Sequence, residues 1–441
     1  MNPLRRFALA VAFGACSLGV ADAQAQMPGP AGMPPMPAGM APPPTGAYAE
    51  PMMYDGPSLG YGDPGFSAYR TPQPLEGVQR PMSGWDVEVP DDGTMVGHPK
   101  LFAGSGFVRV EYLNYNIREP GDVLMRAPLA DNPYPTDPFV IFAPGTASPT
   151  YYGIVPSAKM FDLRDTSGIK TTLGFDLAHG DSVELSAFFL AQKKSGYINN
   201  NLGTSLVDIG GFLFELPNVY ATSMLLNGQV GDTLYVYNDG YAAFYQSQVW
   251  GAEANYLHDL DTYGAVHFRP MIGARFLNIN ERMSQYGRFQ QLAPVPSFES
   301  SIESDTQNYL GGGQIGARVE MVTHLFDFGA EAKWLMLANS MYADVATNNL
   351  RFNGDPYVLT SDNTTQVSTG FDLTGWAVLH LGPKFDMRSG YNFLWLTGIT
   401  RPEDNIYYNE NGITQPAGVV VDMKKHDWSM SGLQLGGTFK W

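Results

Sequence analysis

In the run Ile169, Thr171, Leu173, Phe175 and Leu177 every second residue is apolar or small, while Lys170, Thr172, Gly174 and Asp176 fall between them. A period of two marks a strand with one apolar face and one wet face. After the turn 178–181 the chain returns with Val183, Leu185, Ala187, Phe189 and Ala191 against Glu184 and Ser186, which predicts a hairpin. Three more hairpins follow the same design. Trp250, Ala252, Ala254 and Tyr256 lead into Val266, Phe268, Ile272, Ala274 and Phe276. Ile315, Ala317 and Val319 lead into Phe328, Ala330, Ala332 and Trp334, and Phe371, Leu373, Ala377, Leu379 and Leu381 into Phe385, Met387, Tyr391, Phe393 and Trp395. One strand at Val108, Val110 and Tyr112 precedes them, and one at Leu433, Leu435, Gly437, Phe439 and Trp441 ends the chain. Pro270 lacks the amide a ladder needs, so a bulge or a local gap is expected there.

Ten strands result, or twelve if two more lie within 195–243. Short turns follow strands 2, 4, 6 and 8, and long loops follow the others, at 118–166, 195–243, 282–305, 341–366 and 400–426. Short turns at one end and long loops at the other are the layout of an all-β, transmembrane, antiparallel up-and-down β-barrel, with short periplasmic turns and long extracellular loops. A soluble β-sandwich or lipocalin-like barrel shows the same alternation with its apolar face turned inward.

The first 25 residues read as an export signal: Arg5 and Arg6, an apolar run from Phe7 to Ala21, then A-x-A cleavage options. The single cysteine, Cys16, lies inside it, so the exported chain is expected to lack disulfides and thiolate chemistry. Residues 26–100 hold 16 of the 33 prolines and are expected to form a disordered Pro/Gly/Met-rich periplasmic tether, leaving 101–441 for the barrel. Export tips the balance toward the outer membrane. So do aromatics near strand ends (Tyr112, Tyr256, Trp334, Trp395, Trp441) and a last strand whose Leu433, Leu435, Phe439 and Trp441 read as a signal to the barrel-assembly machinery.

The stretches VWGAEANYLHDL, FRPMIGARFLNINERM, TQNYLGGGQIGARVEM and MRSGYNFLWLTGI carry a family likeness. Here the sequence resembles the putative outer-membrane β-barrel porin family abundant in planctomycete bacteria, the seventh of the putative beta-barrel porin families. The resemblance implies a barrel embedded in outer-membrane lipid behind an export signal and a variable linker. It brings no catalytic, cofactor or metal residues with it.

Charged residues make up only 16% of the chain, as strands that give every second position to lipid require. The net charge of -17 and the lack of a basic cluster exclude a nucleic-acid partner. The residues expected to face the lumen include Arg109, Lys170, Arg269, Arg275, Arg318, Lys333, Arg388 and Lys440, against Glu111, Asp176, Glu184, Glu253, Glu320, Glu331, Asp372 and Asp386. Eight of each sign cancel. Channel selectivity arises from rings of one sign, so this balance suggests interlocking ion pairs, and Phe107, Phe188, Trp376, Leu394 and Leu396 add inward bulk. The acidic excess falls in the tether and the loops, for example Glu119, Asp122, Glu403, Asp404 and Glu410. These read as solvated residues, with divalent cations as candidate partners.

A barrel protease would need Asp and His pairs at the long-loop rim. His179, His258, His324 and His380 instead lie in or beside the short turns. No G-x-S-x-G elbow occurs, and Gly311-Gly312-Gly313 lies within a strand rather than before a helix. Two readings follow: a porin-like passive channel for small polar solutes, or a closed structural or surface-binding barrel whose acidic loops carry the interaction.

Overall fold

A computed structural model describes residues 102–127, 139–142, 148–177, 180–260, 265–290, 297–412 and 415–441; the expected signal and tether lie outside them. Ten wall strands run β1 (Phe102–Ile117), β2 (Thr166–Leu177), β3 (Ser182–Leu190, prolonged by Lys193–Asn199), β4 (Gly240–Leu257) and β5 (Val266–Phe289). They continue as β6 (Phe298–Val322), β7 (Phe326–Asn348), β8 (Val358–His380), β9 (Phe385–Ile399) and β10 (His426–Lys440). Each pairs antiparallel with the next, and β1 pairs with β10, so the sheet closes. The ring is sealed where the Trp441 amide donates to the Gly106 carbonyl (3.1 Å) and the Gly106 amide donates to the Trp441 main-chain oxygen (3.3 Å).

Pro270 causes no bulge, because the β5–β6 register runs unbroken from Val266 to Phe289. The His258 amide still donates to its carbonyl (3.0 Å), and the return bond that a proline lacks is the local gap expected there. Two expectations need correction. Residues 195–243 add no wall strand: Thr204–Ile209, Phe212–Leu226 and Gln229–Tyr237 pair with one another outside the wall, so the count is ten and not twelve. The supposed loops at 282–305 and 341–366 are mostly strand, and β5 to β8 reach 24, 25, 23 and 23 residues.

About 9–11 tilted residues cross a bilayer, so these four strands stand well above it. Their alternation inverts on the way. Low on β7, Phe328, Ala330, Ala332 and Trp334 face out while Glu331 and Lys333 are buried inside. Higher up, Leu335, Leu337, Met341, Ala343 and Val345 are buried and Ser340, Tyr342 and Asp344 occupy the other phase. Lipid rewards an apolar outside, whereas water rewards an apolar inside. The same strand therefore obeys the membrane rule below and the soluble-protein rule above.

The remaining long connections do not splay outward. Phe212–Leu226 pairs in parallel with Pro149–Ile154 and with Asn409–Glu410, and antiparallel with its two sequence neighbours. Segments from three connections thus share one sheet. Its Tyr220 stacks on wall residue Tyr241 at 4.7 Å, and Met125, Phe161, Leu163, Met224, Tyr408 and Val419 join the buried core.

Candidate functional site: an occluded bore

Moving from the short-turn end, inward side chains fall into layers. At the rim, His380 lies between Asp327 (2.9 Å) and Asp386 (2.8 Å), Lys440 meets Asp386 at 2.5 Å, and Arg269 meets Glu320 at 3.1 Å. Asp176 is exposed there.

Above the rim lies a charged belt. Arg318 grips Glu184 with two nitrogens at 2.7 Å and Glu331 at 2.7 Å. Lys333 bridges Glu331 (2.7 Å) and Glu253 (3.0 Å), and Arg275 bridges Glu253 and Asp372, both at 2.5 Å. Three of these contacts join strands that are not neighbours: β6 to β3, β7 to β4 and β5 to β8. A side chain reaches past two intervening strands only through the lumen. Arg109 and Arg388 share Glu111 at 3.5 and 3.4 Å, Lys170 approaches Glu253 at 3.9 Å, and Arg388 lies over the Trp376 ring at 4.2 Å. The space left among Tyr115, Lys170, Glu253, Arg275, Asp372 and Asn392 is about 30 Å³, room for one or two waters and no solute.

Of the sixteen charged residues singled out from sequence, eleven lie in this belt, and Asp176, Arg269, Glu320, Asp386 and Lys440 lie at the rim. The uncharged partners were not foreseen. Gln314 donates to Glu253 (3.0 Å), Gln434 to the Tyr115 hydroxyl (2.7 Å), and that hydroxyl to Asn392 (3.0 Å). Their inward phase was the available signal.

Over the belt sits a dry layer of fully buried side chains, among them Leu113, Val249, Leu277, Leu310, Leu335, Leu337, Leu394 and Leu396. Burial of each stabilises the fold by about 1.5–3 kcal/mol. At Gly398, with φ +69°, β9 leaves the wall and carries 400–425 into the mouth. Side chains of Asn339 (3.0 Å), Gln366 (2.9 Å) and Ser368 (3.3 Å) all donate to its carbonyl.

Just beyond this turn, Arg401 donates to Glu281 (2.9 Å) and to the Tyr245 hydroxyl (3.0 Å), and lies 3.3 Å from Glu403. Tyr245 in turn donates to Glu403 at 3.0 Å. All four are buried. Burial, opposed by Arg401 and reinforced by the Glu281 carboxylate, pushes the Glu403 carboxyl up to about 7. Glu403 and Glu410, expected to be solvated, are therefore interior groups, because their loop folds into the mouth rather than away from it.

Among the expected histidines, His258 pairs with Asp181 (2.7 Å) and His380 with its two aspartates at the short-turn end, while His179 lies outside the described residues. One histidine not weighed from sequence, His426, pairs with Asp404 at 3.0 Å on the long-loop side. Among the described residues no three His, Cys, Asp or Glu side chains are grouped to hold a metal ion.

Among solved structures the chain is similar to the outer-membrane protease OmpT of Escherichia coli, at 9% identity and TM-score 0.41, covering 77% of this chain and 98% of that one. It is also similar to a FadL homologue of Pseudomonas aeruginosa (11%, TM-score 0.23, 76% and 90% covered). A third is an anion-selective porin from Comamonas acidovorans (10%, TM-score 0.12, 76% and 100% covered). Likenesses at this level carry no functional inference. No curated protein matches the chain. The model of the putative beta barrel porin-7 family matches residues 157–441, which spans the wall from just before β2 to the chain end, and the chain belongs to that family of outer-membrane barrels.

Proposed function

We propose that this porin-family barrel rests closed, as a non-enzymatic pedestal in outer-membrane lipid that presents a tall β-walled head outside the cell. The observation that carries the reading is the charged belt, whose ion pairs span the lumen in three directions. Within the belt six basic and five acidic side chains interlock and leave no ring of one sign to attract an ion. Among the described residues the long-loop side offers one His–Asp pair, His426 with Asp404, which is less than the positioned acid and base that hydrolysis requires. Leu433, Leu435, Phe439 and Trp441 present an outward apolar row to the assembly machinery in this reading.

Planar-bilayer recording tests it. Folded wild-type protein is expected to be electrically silent, and a steady ohmic conductance would overturn closure. Passive passage of small polar solutes, the other reading of the family fold, needs both belt and mouth segment to open. Swelling of wild-type proteoliposomes in small sugars decides for it.

A further inference from the structure

The wall is not equally tall all round. β1 ends at Ile117, β2 begins at Thr166 and β9 departs at Gly398, whereas β4 to β8 continue upward with the prolongation of β3. Outside the bilayer the barrel is therefore a curved six-stranded sheet with two lateral edges. One is Lys193–Asn199, which pairs only with β4. The other is 358–368 of β8, which pairs with β7, while β9 reaches β8 only from Gly370 downward. Among the described residues neither edge is paired with a further strand on its outer side, although the Val421 amide donates to the Thr360 hydroxyl (3.1 Å) and the Asp162 amide to the Ser195 hydroxyl (2.9 Å) beside them, and a row of N–H and C=O groups without a ladder partner is a template for another strand.

Both edges also carry apolar side chains where water is the neighbour. Ile198 on the first edge is 61% exposed and Phe212 on the hairpin that follows it 72%; Leu359 and Val367 on the second are 54% and 66% exposed. Lys193 and Lys194 mark the first edge and Asp362 the second. β3 ascends from the short turns and β8 descends toward them. Copies embedded in one bilayer have parallel axes, so unlike edges meet antiparallel.

We propose that copies of this barrel associate side by side, edge Lys193–Asn199 of one pairing with edge 358–368 of the next to continue the extramembrane sheet. A second copy is the occupant because one molecule supplies both halves: opposite direction, opposite charge, and apolar residues on the same outward face. The contact is heterologous, so each copy takes two neighbours.

Cys16, the only cysteine of the chain, is replaced by Ser throughout, so introduced pairs report the geometry cleanly. Ile198→Cys would be combined in turn with Leu359→Cys, Ser361→Cys and Asn363→Cys, and the proteins oxidised in outer-membrane vesicles. At least one pair is expected to give a ladder of covalent dimers, trimers and higher multiples. Single-cysteine variants should stay monomeric, and adding Val367→Lys should cut the ladder at least tenfold. Three results would each overturn the proposal: no ladder from any pair although the barrel keeps its heat-modifiable gel migration, a dimer from one cysteine alone, or an adduct whose mass is not a multiple of this chain.

Discussion

Replacing Arg318 by Met tests the belt where it carries most. The guanidinium makes three short hydrogen bonds to carboxylates, two to Glu184 at 2.7 Å and one from Nε to Glu331 at 2.8 Å. Each charge-assisted bond contributes about 1.5–3 kcal/mol, so their sum sets an upper limit of about 4.5–9 kcal/mol. Glu331 keeps Lys333 at 2.7 Å, so only Glu184 is stranded, and removal of one partner of a buried pair typically costs about 3–5 kcal/mol. The expected loss for Arg318→Met is in that lower range, read as a shift in urea midpoint by tryptophan fluorescence in lipid vesicles. The double variant Arg318→Met, Glu184→Gln removes one charge of each sign and leaves Glu331 with Lys333. It should recover most of the loss, to within about 1–2 kcal/mol of wild type. A loss under about 1 kcal/mol for the single variant, with unchanged unfolding slope, would refute a cross-lumen ion pair held away from water.

Gly398→Ala should destabilise the turn into the mouth by about 1–2 kcal/mol, since φ is +69° and an added Cβ would lie 2.3 Å from the Gln366 amide nitrogen. Trypsin cleavage within 400–425, faster in the variant, is the readout, and equal rates would argue against a strained departure. Glu403 has a folded pKa raised by burial above its ordinary value. The stability it lends is complete below about 4.5 and falls as pH rises through about 7. Glu403→Gln should flatten the pH dependence of that cleavage across this window, and an unchanged slope would exclude Glu403 as its source.

The lower wall was legible in the sequence because lipid imposes a strict rule on it. Phe328, Ala330, Ala332 and Trp334 point outward by period alone, and Glu331 and Lys333 must then point in. The upper wall reads as loop because the same period continues with its faces exchanged. Ile279, Glu281 and Met283 share the inward phase with Arg275, yet two of the three are apolar. The phase relation to Arg275 was the missed signal. Arg401 and Glu403 left no such trace, since a short polar segment after Gly398 reads the same whether it leaves the barrel or enters it.

The sequence by itself determined an antiparallel barrel of alternating strands and the inward phase of its lower charges, since alternation and turn spacing are local properties of the chain; it left ten strands or twelve open, and the closed sheet decided for ten. Tertiary structure alone decided which charges meet, because Arg318 and Glu184 are 134 residues apart and become partners only when the sheet closes. It also decided that the mouth is filled. Apolar groups from three separate connections are buried only by one another and by the upper wall, and no single segment carries that information.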